Sequence, residues 1–173
     1  MDIRIKSLVF PRNQWNDKYL PIIHKHNISS YRGNEKSWMY KAENNKSEGL
    51  YKRGFRLIDA YFNLSGSNSY SIEDICKKKP YNIPSSRFLK PVLKVLPMFE
   101  KLRERRIIKS IKKAAINNEI FHLWWHPHNF GVNTQENLDF LEGILLYFSK
   151  MRDEYGMQSL NMKEVSAKIG NDE

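Results

Sequence analysis

Short apolar segments that stop at proline or glycine alternate along this chain with longer stretches of helical periodicity, and this alternation narrows the fold more than any other feature. It predicts an α/β architecture rather than an all-helical or all-strand one. Ser7-Leu8-Val9-Phe10 reads as a buried strand stopped by Pro11. A helix is expected from about Asn16 to His26, with Asn16 and Asp17 as capping residues and Pro21 early in it. Ile28 to Arg32 is the next strand, ended by Gly33, and Asn34 to Gly49 reads as loop with at most a turn of helix. Leu50 to Leu64 carries a helical stripe of Leu57, Ile58, Tyr61 and Phe62. The stretch from Ser65 to Pro84 reads as irregular, and Ser85 to Pro91 as a short element between prolines.

The second half is more regular. A basic helix is expected from Pro97 to Asn118 and a strand from Glu119 to Trp125, ended by Pro127. The last long helix carries Leu138, Leu141, Ile144, Leu145, Phe148 and Met151 at spacings of three and four. Asn133 and Glu136 form a capping-box pattern at its start, and Gly156 closes it. A strand at Gln158-Ser159-Leu160 and a short helix from Asn161 complete the expectation. With 173 residues and no internal repeat, residues 1–173 are read as a single domain. About four strands make only a small sheet with exposed edges, which points to a partial domain, a piece of a larger fold.

The chain is 40% hydrophobic, enough for a core, and its formal net charge is +10. The excess gathers between Lys101 and Lys113 on a helical pattern, read as a solvated outer face. No recognition-helix, zinc-finger or RNP pattern accompanies it, so nucleic acid is not the first choice of partner. The single cysteine, Cys76, excludes an intrachain disulfide and any cysteine-rich metal site. No apolar run approaches the ~18 residues of a membrane span, and Met1 to Lys6 is followed by no signal-peptide core. Taken as written, the chain is expected to be cytoplasmic.

His122-Leu123-Trp124-Trp125-His126 has the spacing of a helical zinc pair. In a strand the two histidines share a face with Trp124 but lie about 13 Å apart, too far for one ion. His126, at the carboxyl end of its strand, occupies the place where parallel α/β folds gather their chemistry, and an imidazole there suits general acid work. His122 reads as an interior histidine, His128 stays ambiguous, and His24 and His26 suit a helix C-terminus. Phe10-Pro11-Arg12-Asn13-Gln14 is a second strand end. Arg12 there can orient a carboxylate, while Asn13 and Gln14 either hydrogen-bond a sugar or cap the next helix. Tyr31-Arg32-Gly33-Asn34-Glu35 and Ser85-Ser86-Arg87 repeat the pattern, and arginines at three strand ends suggest a nearby anion or carboxylate.

Together these segments, with Ile83-Pro84-Ser85-Ser86-Arg87-Phe88-Leu89, His122 to Gly131 and Tyr155 to Leu160, resemble the C-terminal half of the NodB-type polysaccharide deacetylases, carbohydrate esterase family four. The resemblance covers nearly the whole chain. It implies a partial (β/α) barrel of the NodB-homology type and hydrolysis of N-acetyl groups on a glycan with a divalent metal, usually zinc, as cofactor. It implies catalytic roles for His126, as the late acid, and for Arg12, beside the base; Arg87, Trp125 and Asn13 are the expected substrate-binding residues. The family's aspartate pair and His-Ser/Thr-x-x-His motif are missing. The chain contains no Asp-Asp, and its His-x-x-x-His comes late with Leu123 where Ser or Thr is expected. The metal ligands are therefore expected to be absent from this chain. The chain is expected to be inactive alone, a truncation or one half of a split protein completed by an N-terminal half. The other reading is a basic binding module for nucleic acid or an anionic glycan, or a structural half that completes its barrel with a partner chain.

Overall fold

The computed structural model describes residues 4–40, 50–95 and 97–171. The elements run β1 (Ser7–Leu8), α1 (Leu20–Lys25), β2 (Ser30–Gly33), α2 (Leu50–Tyr61), α3 (Ile72–Ile75), β3 (Tyr81–Pro84), β4 (Arg87–Phe88), α4 (Pro97–Ile116), β5 (Leu123–Trp124), α5 (Pro127–Phe130), α6 (Thr134–Tyr155) and α7 (Met162–Asn171). Helices and small parallel sheets therefore alternate, as the sequence pattern predicts. β1 pairs with β2 and β2 with β3, all parallel, while β4 pairs parallel with β5.

β3 and β4 belong to one extended segment that changes partner midway. Ser85 N still donates to Gly33 O in β2 at 2.9 Å, but Ser86 N donates to His122 O beside β5 at 2.9 Å. The Ser86 hydroxyl also accepts from His122 N at 2.8 Å, which fixes the register at the changeover. All the strands so joined point the same way, and their carboxyl ends open toward the same side. β3 lies in the stretch expected to be irregular. Its side chains explain it, since Tyr81 and Ile83 are buried against Val165 and Ile169 of α7 together with Tyr70 and Ile75. A second apolar cluster joins Leu89 to Ile107 and Ile111 of α4 and to Ile144 and Met151 of α6.

Four local expectations change. α2 forms where its stripe predicts, but the stripe faces solvent: Leu57, Ile58 and Phe62 are about half exposed while Lys52, Asp59 and Ala60 on the other face are buried. The basic helix α4 is not wholly an outer surface either, because Arg103 and Arg106 turn inward while Lys101, Lys109 and Lys112 stay in water. The capping box at Asn133 does not form. Asn133 sits at φ 57°, and its side chain donates to Val92 O instead. The reciprocal pair appears one helix later, where Asn161 N donates to Glu164 and Glu164 N to Asn161, opening α7. Gln158 to Leu160 leads into that cap as exposed non-strand chain, with no neighbouring strand paired to it. Gly156 closes α6 at φ 69°, a conformation glycine adopts without strain. Of the loop expected over residues 34–49, Trp38–Tyr40 makes one 3-10 turn, and 41–49 lie outside the described residues. Among the described residues no helix is long and apolar enough to cross a membrane.

Candidate functional site

A cleft of about 460 Å³ lies at the carboxyl ends of the strands, within the range typical of ligand sites. The β1 end supplies Arg12, Asn13 and Gln14; the β2 end supplies Arg32, Asn34 and Glu35. The β4 and β5 ends add Arg87, Phe88, Lys90, Trp124 and His126. One flank is closed by Tyr40 and by Arg53, Arg56 and Ala60 of α2.

The turn after β1 is held in an uncommon shape. Arg12 and Asn13 both adopt positive φ, 55° and 53°, a region that costs Arg12 about 1–2 kcal/mol and that asparagine enters more readily. Asn13 N bonds to Phe10 O and Gln14 N to Pro11 O, and the buried Asn13 side chain accepts from Arg32 Nε at 2.9 Å. Asn34 Nδ2 donates to Asn13 O at 3.2 Å. Two strand ends are thus tied across the cleft floor, and Asn13 acts as the tie. Arg32 in turn lays its guanidinium 3.9 Å from the Trp124 ring centre, a cation–π contact.

Arg87 is fixed from behind. Its Nη1 donates to Asp59 Oδ2 at 3.0 Å and its Nη2 to Gly66 O at 3.3 Å. Asp59 is fully buried on α2 and also accepts from Arg106 at 2.8 Å, from the Tyr40 hydroxyl at 2.8 Å, and from the Ser65 and Leu64 amides. Burial pushes the Asp59 carboxyl up, but the Tyr40 hydroxyl, Arg106 and Ser65 outweigh it and hold the group below its ordinary value. Burial and the Asp59 charge push the Tyr40 phenol upward, so that it remains a donor.

Glu35 is the only carboxylate among the described lining residues. Burial raises its pKa, opposed by its own backbone amide, the Ser85 hydroxyl and the guanidiniums of Arg87 and Arg32. Burial lowers Arg32 against the pull of Glu35, and burial with the Arg103 charge lowers Lys90. His122, partly buried beneath the cleft, is also lowered, by burial and by the Arg32 charge.

The residues singled out in the sequence separate into two groups. Arg12, Asn13, Arg87 and His126 line one cleft, although they come from three distant parts of the chain. The His126 ring packs edge-on to Trp124 at 5.2 Å and to Phe88 at 5.7 Å, and lies stacked on His128 at 5.2 Å. Trp125 is outside the lining. It points away from the cleft and stacks on Phe130 at 5.7 Å, while its neighbour Trp124 faces in. Strand alternation accounts for this, since 124 and 126 share a face and 125 takes the other. Sequence reasoning missed Tyr40, Arg53, Arg56, Lys90 and the Asp59 behind them. Arg53, Arg56 and Ala60 stand three and four residues apart, a helical face the sequence does display.

The arrangement sets the apolar rings of Phe88 and Trp124, the latter with Arg32 on one face, beside the hydrogen-bonding groups of Asn34 and Gln14 and the His126 imidazole. It does not fit the divalent metal that the resemblance implies. Among the described residues no three His, Cys, Asp or Glu side chains gather, and the cleft's lone carboxylate is surrounded by arginines. No family model, curated protein or solved structure matches this chain.

Proposed function

We propose that this chain is a NodB-type polysaccharide deacetylase-like protein that supplies the C-terminal half of the family's (β/α) barrel. In this reading the cleft holds an N-acetylated glycan, and the metal ligands are not among this chain's residues. One observation carries the reading: Arg12, Asn13, Arg87 and His126, each quoted for the resemblance, line a single cleft at the ends of parallel strands. His126 stands at the cleft surface, where an imidazole can hand a proton to a departing amine. Arg12 orients an acid group, and Asp59 holds Arg87 in place as a positioning residue.

Acetate release from an N-acetylated oligosaccharide with zinc present, alongside calorimetric binding of the same glycan, tests the reading. This chain alone is expected to bind glycan and release no acetate. Turnover that disappears in His126→Ala would contradict the missing metal site, and no glycan binding at all would remove the cleft's assigned role.

A further inference from the structure

The cleft is far more basic than a neutral sugar requires. Arg12, Arg32, Arg53, Arg87 and Lys90 line it, and Glu35 is the one carboxylate among its described lining residues. Behind it Asp59 must balance both Arg87 and Arg106. Arg12 and Arg53 are exposed side chains at the cleft wall, and neither is ion-paired among the described residues. Like charges held this close raise the local positive potential, and a cleft focuses that potential on whatever enters.

The inner guanidiniums are also fixed before any ligand arrives. Arg32 is held by Asn13 and laid on Trp124, and Arg87 is held by Asp59 and Gly66 O. Guanidinium groups present a rigid fork of donors that matches the paired oxygens of a carboxylate or sulfate. Next to them the apolar rings of Phe88 and Trp124, centres 4.6 Å apart and Trp124 with Arg32 on one face, line the same cleft and give a sugar ring apolar surface to meet. An oxyanion and a pyranose ring are therefore met side by side.

We infer that the cleft takes an acidic N-acetylated glycan, one whose acetamido sugar adjoins a residue bearing a carboxylate or sulfate. The inference rests on the deacetylase reading and names its substrate class. The occupant is a glycan rather than a nucleic acid strand because the cations converge in a bounded cleft. The exposed lysines of α4, among them Lys109 and Lys112, do not line it.

The experiment is calorimetric titration of the whole chain with four probes. They are a neutral N-acetylglucosamine tetramer, a tetramer alternating N-acetylglucosamine with glucuronate, the same tetramer bearing sulfate esters, and single-stranded polyuridylate. At least one acidic tetramer is expected to bind about tenfold or more tighter than the neutral one, consistent with charge-assisted arginine bonds. Which acidic tetramer binds better identifies the oxyanion. Arg12→Gln and Arg53→Gln, both at exposed positions, are expected to bring the ratio of acidic-tetramer to neutral-tetramer affinity down toward one. Equal binding of neutral and acidic tetramers would overturn this inference while leaving the glycan cleft intact. Binding of no tetramer would remove both, and polyuridylate binding tighter than either acidic tetramer would replace the glycan with a nucleic acid.

Discussion

Asp59→Ala is the perturbation with the largest expected cost. The carboxylate is fully buried and touches Arg87 at 3.0 Å and Arg106 at 2.8 Å, both themselves nearly inaccessible. Its removal leaves two guanidiniums facing each other in the interior without their hydrogen-bonded counter-charge. Removing one partner of a buried pair costs about 3–5 kcal/mol, chiefly from the charge left behind. The amides of Leu64 and Ser65 also lose their acceptor. In a chain of this size each kcal/mol lowers the melting temperature by roughly 2–4 °C, so a fall of about 6–20 °C is expected. Urea and thermal unfolding measure it directly. The double variant Asp59→Ala, Arg106→Met should recover part of the loss, since it removes one stranded charge. The pH dependence follows the same logic. Because Asp59 titrates below its ordinary value of 3.8, its stabilisation is present above that pH and is lost as pH falls through the lower folded value. A loss below about 1 kcal/mol for Asp59→Ala, comparable to an exposed pair, would refute the buried-network reasoning.

Three further outcomes follow from local contacts. His122 is held neutral by burial and the Arg32 charge, so stability should be undiminished above pH 6.5 and decline below it, by at most about 1.4 kcal/mol per pH unit; His122→Gln should flatten that part of a pH–stability curve. Asn137 is buried, accepting from Val92 N at 2.7 Å and donating to Val132 O at 2.6 Å, and Asn137→Leu should cost about 1–3 kcal/mol in chemical denaturation by leaving those groups unpaired. Breaking the reciprocal cap with Asn161→Ala should cost about 1 kcal/mol and speed hydrogen exchange in the first turn of α7.

Much of the fold was legible because its elements carry their own periodicity. The α6 stripe ends at Gly156 and β2 ends at Gly33 as expected, whereas β1 covers only Ser7–Leu8 and stops before the Val9-Phe10 expected to lead up to Pro11. β3 was not legible. Tyr81-Asn82-Ile83-Pro84 is short and contains a proline, and its strand is set by pairing with β2 and by burial of Tyr81 and Ile83 against α7. A side-chain carbon at position 33 would lie 2.0 Å from Asn82 Oδ1, so a larger residue there would have to displace the Asn82 amide. The orientation of α2 was hidden for a different reason. Helical spacing reveals a stripe but not its direction, and here the charged face turns inward to meet Arg87 and Arg106. At the site, the strand-then-turn pattern revealed Arg12 and His126, which follow β1 and β5, and Arg87, which follows β3 and opens β4. Arg53 and Arg56 share a helical face that the spacing displays, but only tertiary packing turns that face, and Lys90, toward the cleft.

The central claim is that one cleft at the strand ends receives the glycan, with Trp124 inside and Trp125 outside. Indole N–H resonances in a two-dimensional nitrogen–proton spectrum, assigned with Trp124→Phe and Trp125→Phe, report both positions in one titration. With added N-acetylated oligosaccharide, the Trp124 signal should shift in step with binding while Trp125 stays nearly still. A shift confined to Trp125, or shifts confined to residues of α4, would contradict the claim.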